Sequence, residues 1–90
     1  MSRFSSSLPL TWHAVRSRTP LQNRIGLVIR KYREAKNFTQ EGFADRIEMH
    51  RAYYGALENG KKNLQLSTLE RVCEGLGVEM SEVIQEAERL

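Results

Sequence analysis

The side chains that could perform catalysis or hold a metal ion are few, and their spacing indicates neither activity. His13, His50 and Cys73 have no partner at the spacing of a catalytic triad or of a zinc site. The region expected to fold also lacks a glycine-rich loop that would cradle phosphates. The sequence therefore predicts no enzyme, no cofactor and no metal site, with the histidines as polar surface groups and Cys73 in the core.

Basic side chains, in contrast, are concentrated in one part of the chain. Residues 1–62 carry 12 basic and 5 acidic side chains, a net charge of +7, whereas residues 63–90 carry 2 basic and 6 acidic ones, a net charge of −4. Lysine and arginine attract phosphates, so the first part suits a polyanion. The acidic end repels phosphates and is available for another task, such as self-association.

The length and the apolar pattern limit the architecture. A chain of 90 residues supports one small domain, because it buries only about 60 to 65 per cent of its unfolded surface. No apolar run reaches the roughly 18 residues that cross a bilayer, and the single cysteine fits a reducing compartment. We expect a cytoplasmic protein that does not contact a membrane.

Apolar residues at helical spacing predict five helices and no strand, so the fold is expected to be all-α. The first helix ends near residues 36–37. Its apolar face consists of Leu21, Ile25, Val28, Ile29 and Tyr32. The positions expected to face outward are largely basic, namely Arg24, Arg30, Lys31 and Arg33.

The next two helices are short and close together. They are predicted over residues 40–47 and 51–57, with Asn59-Gly60 as the stop of the second one. Thr39 is placed to cap the first of them, and the flanking phenylalanines form a hydrophobic staple around that cap. The interior of the crossing is expected to contain Phe43, Ala44, Ile47, Tyr54 and Leu57.

The last two helices follow a basic loop. The fourth is expected to begin with a capping box of Ser67 and Glu70 and to end at Gly77. The fifth carries an apolar stripe of Met80, Val83, Ile84, Ala87 and Leu90.

The N-terminal segment differs in composition from the rest. Residues 1–20 are rich in serine, threonine and arginine, contain two prolines, and show no sustained apolar period. We predict a flexible arm there and one folded domain over residues 21–90. The arm is either passive or lies along nucleic acid with Arg3, Arg16 and Arg18.

Two short helices joined by a three-residue turn form a helix-turn-helix. The segment T-Q-E-G-F-A-D-R-I, followed by R-A-Y-Y-G-A-L-E-N-G, resembles the lambda-repressor and Cro-like (XRE) family, and the resemblance covers residues 21–84. The flanking I-G-L-V-I-R-K-Y-R-E-A-K-N-F-T-Q and K-K-N-L-Q-L-S-T-L-E-R-V are similar to the controller proteins of restriction-modification systems. The resemblance implies a five-helix DNA-binding domain and a dimeric transcription regulator that acts on a two-fold symmetric operator.

Two positions depart from the family pattern. Glu48 occupies a turn position where the family commonly has glycine, and an L-residue with a left-handed backbone costs about 1 kcal/mol there. Glu79 stands where the family often has a serine cap, so the fifth helix is expected to begin at Met80 or after Ser81.

The resemblance places the third helix in the major groove, with base contacts near its start. The base-reading candidates are His50, Arg51, Ala52 and Gly55. Arg51 is the first choice, because a guanidinium can donate two hydrogen bonds to guanine. The alternative role for Arg51 is a phosphate contact or a solvated charge. The methyl group of Ala52 suits a thymine methyl.

The resemblance also assigns phosphate contacts and two protein interfaces. The phosphate-binding candidates are Gln40, Tyr53, Asn59, Lys61 and Lys62, although the lysines could also be solvated loop charges. Glu41 and Asp45 match an acidic patch by which some members touch RNA polymerase; the alternative is a solvated face. The stripe on the fifth helix is expected to pair two copies, with half-sites about 34 Å apart.

The competing function is a protein-interaction module of the same fold, such as an antitoxin. The charge pattern and Arg51 favour DNA over a domain of this fold that binds only protein. An antitoxin would bind DNA as well, so the charge pattern does not exclude that function.

Overall fold

The computed structural model describes residues 19–61 and 63–90, and within them it contains helices and no strand. The predicted arm lies almost entirely outside the described residues, as does Lys62. No helix in the described part is long and apolar enough to cross a membrane. The five helices are α1 Leu21–Ala35, α2 Gln40–Arg46, α3 Arg51–Glu58, α4 Leu66–Leu76 and α5 Met80–Arg89.

Helix α1 lies at the centre of the fold and packs against α3, α4 and α5. Ile25, Val28 and Ile29 are buried, as the apolar period predicts, while Leu21 at the start of the helix remains 38% exposed. The prediction that Arg33 faces outward was wrong. Arg33 is only 6% exposed, because it follows the buried Ile29 by four residues and therefore lies on the same face of the helix.

The predicted capping box of α4 was also wrong. The helix begins at Leu66, with Gln65 as the residue before it in an extended conformation and with no side-chain cap. The amide of Leu69 donates to the carbonyl of Gln65 at 3.0 Å, so the helical hydrogen bonds start before Ser67. Ser67 is thus inside the first turn, where its backbone cannot adopt the extended conformation of a cap. The end of α4 at Gly77 is confirmed.

Helix α5 begins at Met80, one of the two predicted starts, since Glu79 is a working cap. The backbone amide of Glu79 donates to Oε1 of Glu82 at 3.2 Å, which is half of a capping box. Glu79 is therefore a better cap than the sequence indicates, because the carboxylate three residues later satisfies its amide.

The packing of α5 against α1 corrects the predicted dimerisation stripe. Val83 and Ala87 are fully buried within one chain, so they contribute to the core and are not available to a second copy. Met80 and Ile84 are half-buried, and Leu90 is 57% exposed. The core of the domain thus buries Val83 and Ala87, while Met80, Ile84 and Leu90 remain at least partly exposed.

Polar contacts at the edge of this packing fix α5 on α1. The hydroxyl of Tyr32 donates to Oε2 of Glu86 at 2.6 Å, and Arg24 Nη1 donates to the carbonyl of Ala87 at 2.9 Å. The hydrogen bond to the Glu86 carboxylate raises the pKa of Tyr32 to about 12.

The placement of Cys73 in the core is confirmed, with 2% of the residue exposed. Burial raises the pKa of its thiol to about 11, because the apolar surroundings disfavour the thiolate. The described residues also contain no group of three side chains that could together ligate a metal ion.

Candidate nucleic-acid interface

Helices α2 and α3 form the helix-turn-helix, and the predicted start of α2 is confirmed. Thr39 precedes the helix with an extended backbone, and its Oγ1 accepts a hydrogen bond from the amide of Gly42 at 2.9 Å. The rings of Phe38 and Phe43 are 5.6 Å apart and form the staple. Ala44 is completely buried, so its small side chain permits the close crossing of α3.

The turn between α2 and α3 contains the expected unusual backbone. Glu48 has a φ of 55°, in the left-handed region, which is unfavourable for a residue with a Cβ. Arg71, on α4, donates from Nη2 to the carbonyls of Ile47 and Glu48 at 2.6 and 2.8 Å. Arg71 therefore holds the strained turn by hydrogen bonds, a role that the helix-turn-helix pattern could not reveal because the two positions are 23 residues apart.

His50 caps α3, which the sequence-based assignment missed. Its Nδ1 accepts a hydrogen bond from the amide of Ala52 at 3.2 Å. One ring nitrogen is thus committed to the helix start, and the other edge of the ring faces away from that bond. Histidine is not among the usual caps, so the residue type gave little indication of this role.

The candidate base-reading residues lie at the start of α3 but differ in exposure. Arg51 and Ala52 are exposed, whereas Gly55 is half-buried. Arg51 pairs with Asp45 of α2, with Nη2 at 2.9 Å from Oδ2 and Nε at 3.4 Å from Oδ1. Hydrogen bonding to this guanidinium lowers the pKa of Asp45 below its usual value. Asp45 is thus engaged by Arg51, whereas Glu41 is an exposed side chain on the same helix.

The candidate phosphate-binding residues lie at the start of α2, on α3 and just beyond its end. Gln40 is half-buried, and its Nε2 donates to Oε1 of Glu58 at 2.9 Å. Tyr53 is half-buried and packs against the core, whereas Asn59 and Lys61 are exposed. Gly60, which follows α3, has a φ of 71°, so a left-handed glycine ends the helix and Lys61 comes directly after that glycine.

A buried polar network at the C-terminal end of α3 fixes the orientation of this helix. Arg33 donates from Nε to Glu58 Oε2 at 2.6 Å and from Nη2 to Oε1 at 3.2 Å. Tyr54 also donates its hydroxyl to Oε2, and Gln40 donates to Oε1. Burial opposes ionisation of Glu58, but the hydrogen bonds from Arg33, Tyr54 and Gln40 outweigh it, so its pKa is lowered. The network joins α1, α2 and α3 through one carboxylate.

This network escaped the sequence analysis, although a signal was present. Arg33 follows Ile29 by four residues, and Glu58 follows Tyr54 by four, so both charges occupy core positions of their helices. Opposite charges at core positions of two helices indicate a buried pair. Gly26 contributes as well, because a Cβ there would lie 2.2 Å from the carbonyl oxygen of Glu58, and only glycine lets α1 approach the end of α3 so closely.

Comparison with known proteins places this fold in a family. Residues 29–83 match the family described as Helix-turn-helix. The control protein C.MunI from Mycoplasma is 40% identical over 67 residues, which cover 73% of this chain and 90% of that relative.

Solved structures of regulator and controller proteins have the same fold as this chain. The clp gene regulator ClgR from C. glutamicum has a TM-score of 0.75 and 28% identity, covering 79% of this chain and 91% of that one. The restriction-modification controller protein C.Esp1396I, solved as a tetramer in complex with its natural 35 base-pair operator, has a TM-score of 0.68 and 29% identity, covering 79% of this chain and 99% of that one. The chain therefore belongs to the helix-turn-helix family of the lambda-repressor and Cro-like (XRE) type, within which it resembles the restriction-modification controller proteins.

Proposed function

We propose that this chain is a sequence-specific, double-stranded-DNA-binding regulator of transcription, of the controller or repressor type, with α3 in the major groove. The observation that carries the proposal is the contrast between the two ends of α3. Its first residues, Arg51 and Ala52, are exposed, while its last residue, Glu58, is held by the buried network. A rigid helix with exposed side chains at its start is what direct reading of base edges requires.

The base contacts are assigned to the start of α3. Arg51 donates to the O6 and N7 atoms of a guanine, and Ala52 contacts a thymine methyl. His50 contributes only the ring edge that does not cap the helix. Gly55 has no side chain and is half-buried, so its role is to let the base edges in the major groove approach the backbone of α3.

The phosphate contacts are assigned to Gln40, Tyr53, Asn59, Lys61 and Lys62. Gln40 gives one N–H of its amide to Glu58, and the second remains for a phosphate oxygen. The exposed Lys61 adds a sequence-independent attraction. We assign no catalytic step to these residues.

The proposed dimer uses an apolar surface that overlaps the predicted stripe only in part. Leu66 is 72% exposed and Leu21 is 38% exposed. Together with the half-buried Leu64 and Ile84 they line one groove between the start of α1, the start of α4 and α5. We propose that a second copy covers this groove and also contacts Met80 and Leu90, the other stripe residues that remain accessible, because four apolar side chains at one place are a costly surface for a small domain. Residues 21–90 are then the folded and dimerising unit.

Selection from a randomised duplex library tests DNA recognition, with the DNA upstream of the chain's own coding sequence included. We expect enrichment of one two-fold symmetric sequence. Arg51→Ala should reduce the affinity ratio of the selected to a scrambled duplex by about 5- to 150-fold, the equivalent of one bidentate base contact. Lys61→Ala is the matched control, which should weaken binding to both duplexes equally and reduce the salt slope by about one. Absence of an enriched sequence would overturn the proposal and favour a protein-interaction module.

Sedimentation of the full chain tests the dimer. Leu66→Glu should produce monomers at concentrations where the wild type is dimeric, because a carboxylate cannot be buried unpaired in an apolar interface. Leu27→Glu is the matched control, since Leu27 is 53% exposed on α1 but outside the groove. A wild type that remains monomeric with and without the selected duplex contradicts the dimer.

A further inference from the structure

We propose that Asp45 is a specificity-determining residue that orients Arg51 for guanine and keeps it from phosphates. This inference rests on the proposed function, because it assigns a partner to the residue that reads the base. It gives Asp45 a role in binding DNA itself, whereas the family resemblance suggests only a protein contact for this position.

The geometry of the pair carries the inference. Asp45 accepts from Nε and Nη2 of Arg51, which form the lateral edge of the guanidinium. A guanidinium has five N–H donors in a planar fork. The terminal edge, with one N–H from each of the two Nη atoms, is therefore still available, and this edge matches the O6 and N7 acceptors of guanine.

The charge of Asp45 adds selectivity. A carboxylate 2.9 Å from the guanidinium repels the phosphate oxygens that would otherwise attract a flexible arginine. Guanine presents neutral acceptors, so the pair can still approach it. Without Asp45, Arg51 has more rotamers available and can reach phosphates of any sequence, which raises non-specific binding while specific binding falls.

A purely structural role for the pair explains less. The side chains of Arg51 and Asp45 are 61% and 59% exposed, and exposed pairs contribute little to folding because water and salt screen them. The buried Arg33–Glu58 pair already fixes α3 at its other end. Stability therefore does not require Asp45, and the place where it matters is the surface that meets the DNA.

The experiment compares two duplexes that differ in one atom. The first is the duplex selected by the wild type, and the second carries 7-deazaguanine at the guanine that Arg51→Ala no longer distinguishes, so that it lacks the N7 acceptor. Asp45→Asn should reduce the preference for the first duplex by roughly 5- to 20-fold and should tighten binding to scrambled DNA. In the Arg51→Ala background, Asp45→Asn should not change the preference.

Glu41→Gln is the matched control for charge. It removes one exposed carboxylate from the same helix without removing a hydrogen-bond partner of Arg51, so both duplexes should be affected by the same factor. Asp45→Ala, checked for an unchanged thermal midpoint, repeats the test with a second side chain. Both assays use purified protein and DNA, so a contact with RNA polymerase cannot produce the expected result.

The outcomes separate this inference from the proposed function. If Asp45→Asn keeps the wild-type preference for guanine, or if its effect persists in the Arg51→Ala background, the inference is overturned. If the wild type itself has no preference between selected and scrambled DNA, the proposed function fails first.

Discussion

Helix α3 contributes one member to each of two arginine–carboxylate pairs, Arg51 at its start and Glu58 at its end, and the environments of the pairs differ. The side chains of Arg33 and Glu58 are 7% and 1% exposed, whereas those of Arg51 and Asp45 are 61% and 59% exposed. The buried pair is joined by Tyr54 and Gln40, so that the charged groups are satisfied on several sides. Breaking a buried pair strongly destabilises the fold, because it leaves one charge buried without a partner. An exposed charge is hydrated when its partner leaves, so it can bind another group instead. The first pair therefore orients α3 and the second is available to DNA.

The largest expected effect comes from removing one partner of the buried pair. Arg33→Met leaves the Glu58 carboxylate without its main partner and should lower the free energy of unfolding by about 3–5 kcal/mol in urea titrations. Arg51→Met should leave it unchanged within error, because Asp45 stays hydrated. Arg30→Met is the control on α1, since Arg30 forms an exposed pair with Glu34.

A double replacement tests the role of the buried pair even if the single variant Arg33→Met does not fold. Arg33→Met combined with Glu58→Met should be more stable than Arg33→Met alone, because no unpaired charge remains buried. Equal losses for the buried and the exposed pairs would contradict the division of roles.

The second effect is a difference in acid sensitivity. The folded-state pKa of Glu58 lies below its ordinary value of 4.5, so its contribution is present above that value and is lost as the pH falls through the folded pKa. The free energy of unfolding of the wild type should therefore decrease below about pH 4.5, by at most about 1.4 kcal/mol per pH unit for this proton. Glu58→Gln should have a shallower slope.

Salt separates the two carboxylates in the same titration. Asp45 also has a lowered pKa, but its pair is exposed, so its share of the acid dependence should vanish between about 0.1 M and about 1 M salt. The share of Glu58 should persist. A Glu58-dependent slope that disappears with salt would show that water reaches the buried pair.

The smallest effect concerns Arg71, which is exposed but donates to backbone carbonyls of the turn. Glu48→Gly should raise the free energy of unfolding by up to about 1 kcal/mol, because glycine adopts the left-handed backbone without strain. Arg71→Met should lower it by about 1 kcal/mol through the lost hydrogen bonds. Thermal unfolding measures both, and destabilisation by Glu48→Gly would contradict the strain at this turn.

Much of the fold could be predicted from the sequence, since it depends on local signals. The apolar periods located five helices, Thr39 and Phe43 marked the start of α2, and Gly77 marked the end of α4. The errors arose where a local signal was ambiguous. Ser67 and Glu70 form a capping pattern, yet the helix begins at Leu66. The backbone hydrogen bond from Leu69 to Gln65 places Ser67 inside the first turn, where it cannot act as the cap.

The candidate site was predictable in its position but not in its contacts. The motif located Arg51 at the start of α3, and the sequence did not indicate that Asp45 would hold it or that His50 would cap the helix. Similarly, the apolar stripe of α5 was visible, but the burial of Val83 and Ala87 depends on how α5 meets α1. Spacing along a helix determines which residues share a face, and it does not determine what that face meets.

The sequence by itself determined the helical elements, the helix-turn-helix motif and the basic N-terminal part of the chain, because periodicity, capping residues and charge are properties of neighbouring residues. Only the tertiary structure decided the partners of the arginines. Arg33, Arg51 and Arg71 are the same residue type, and one is buried with Glu58, one faces solvent beside Asp45, and one holds a turn. The physical reason is that the strength and role of a charge depend on its exposure and on the groups around it, which are brought together only when distant segments pack.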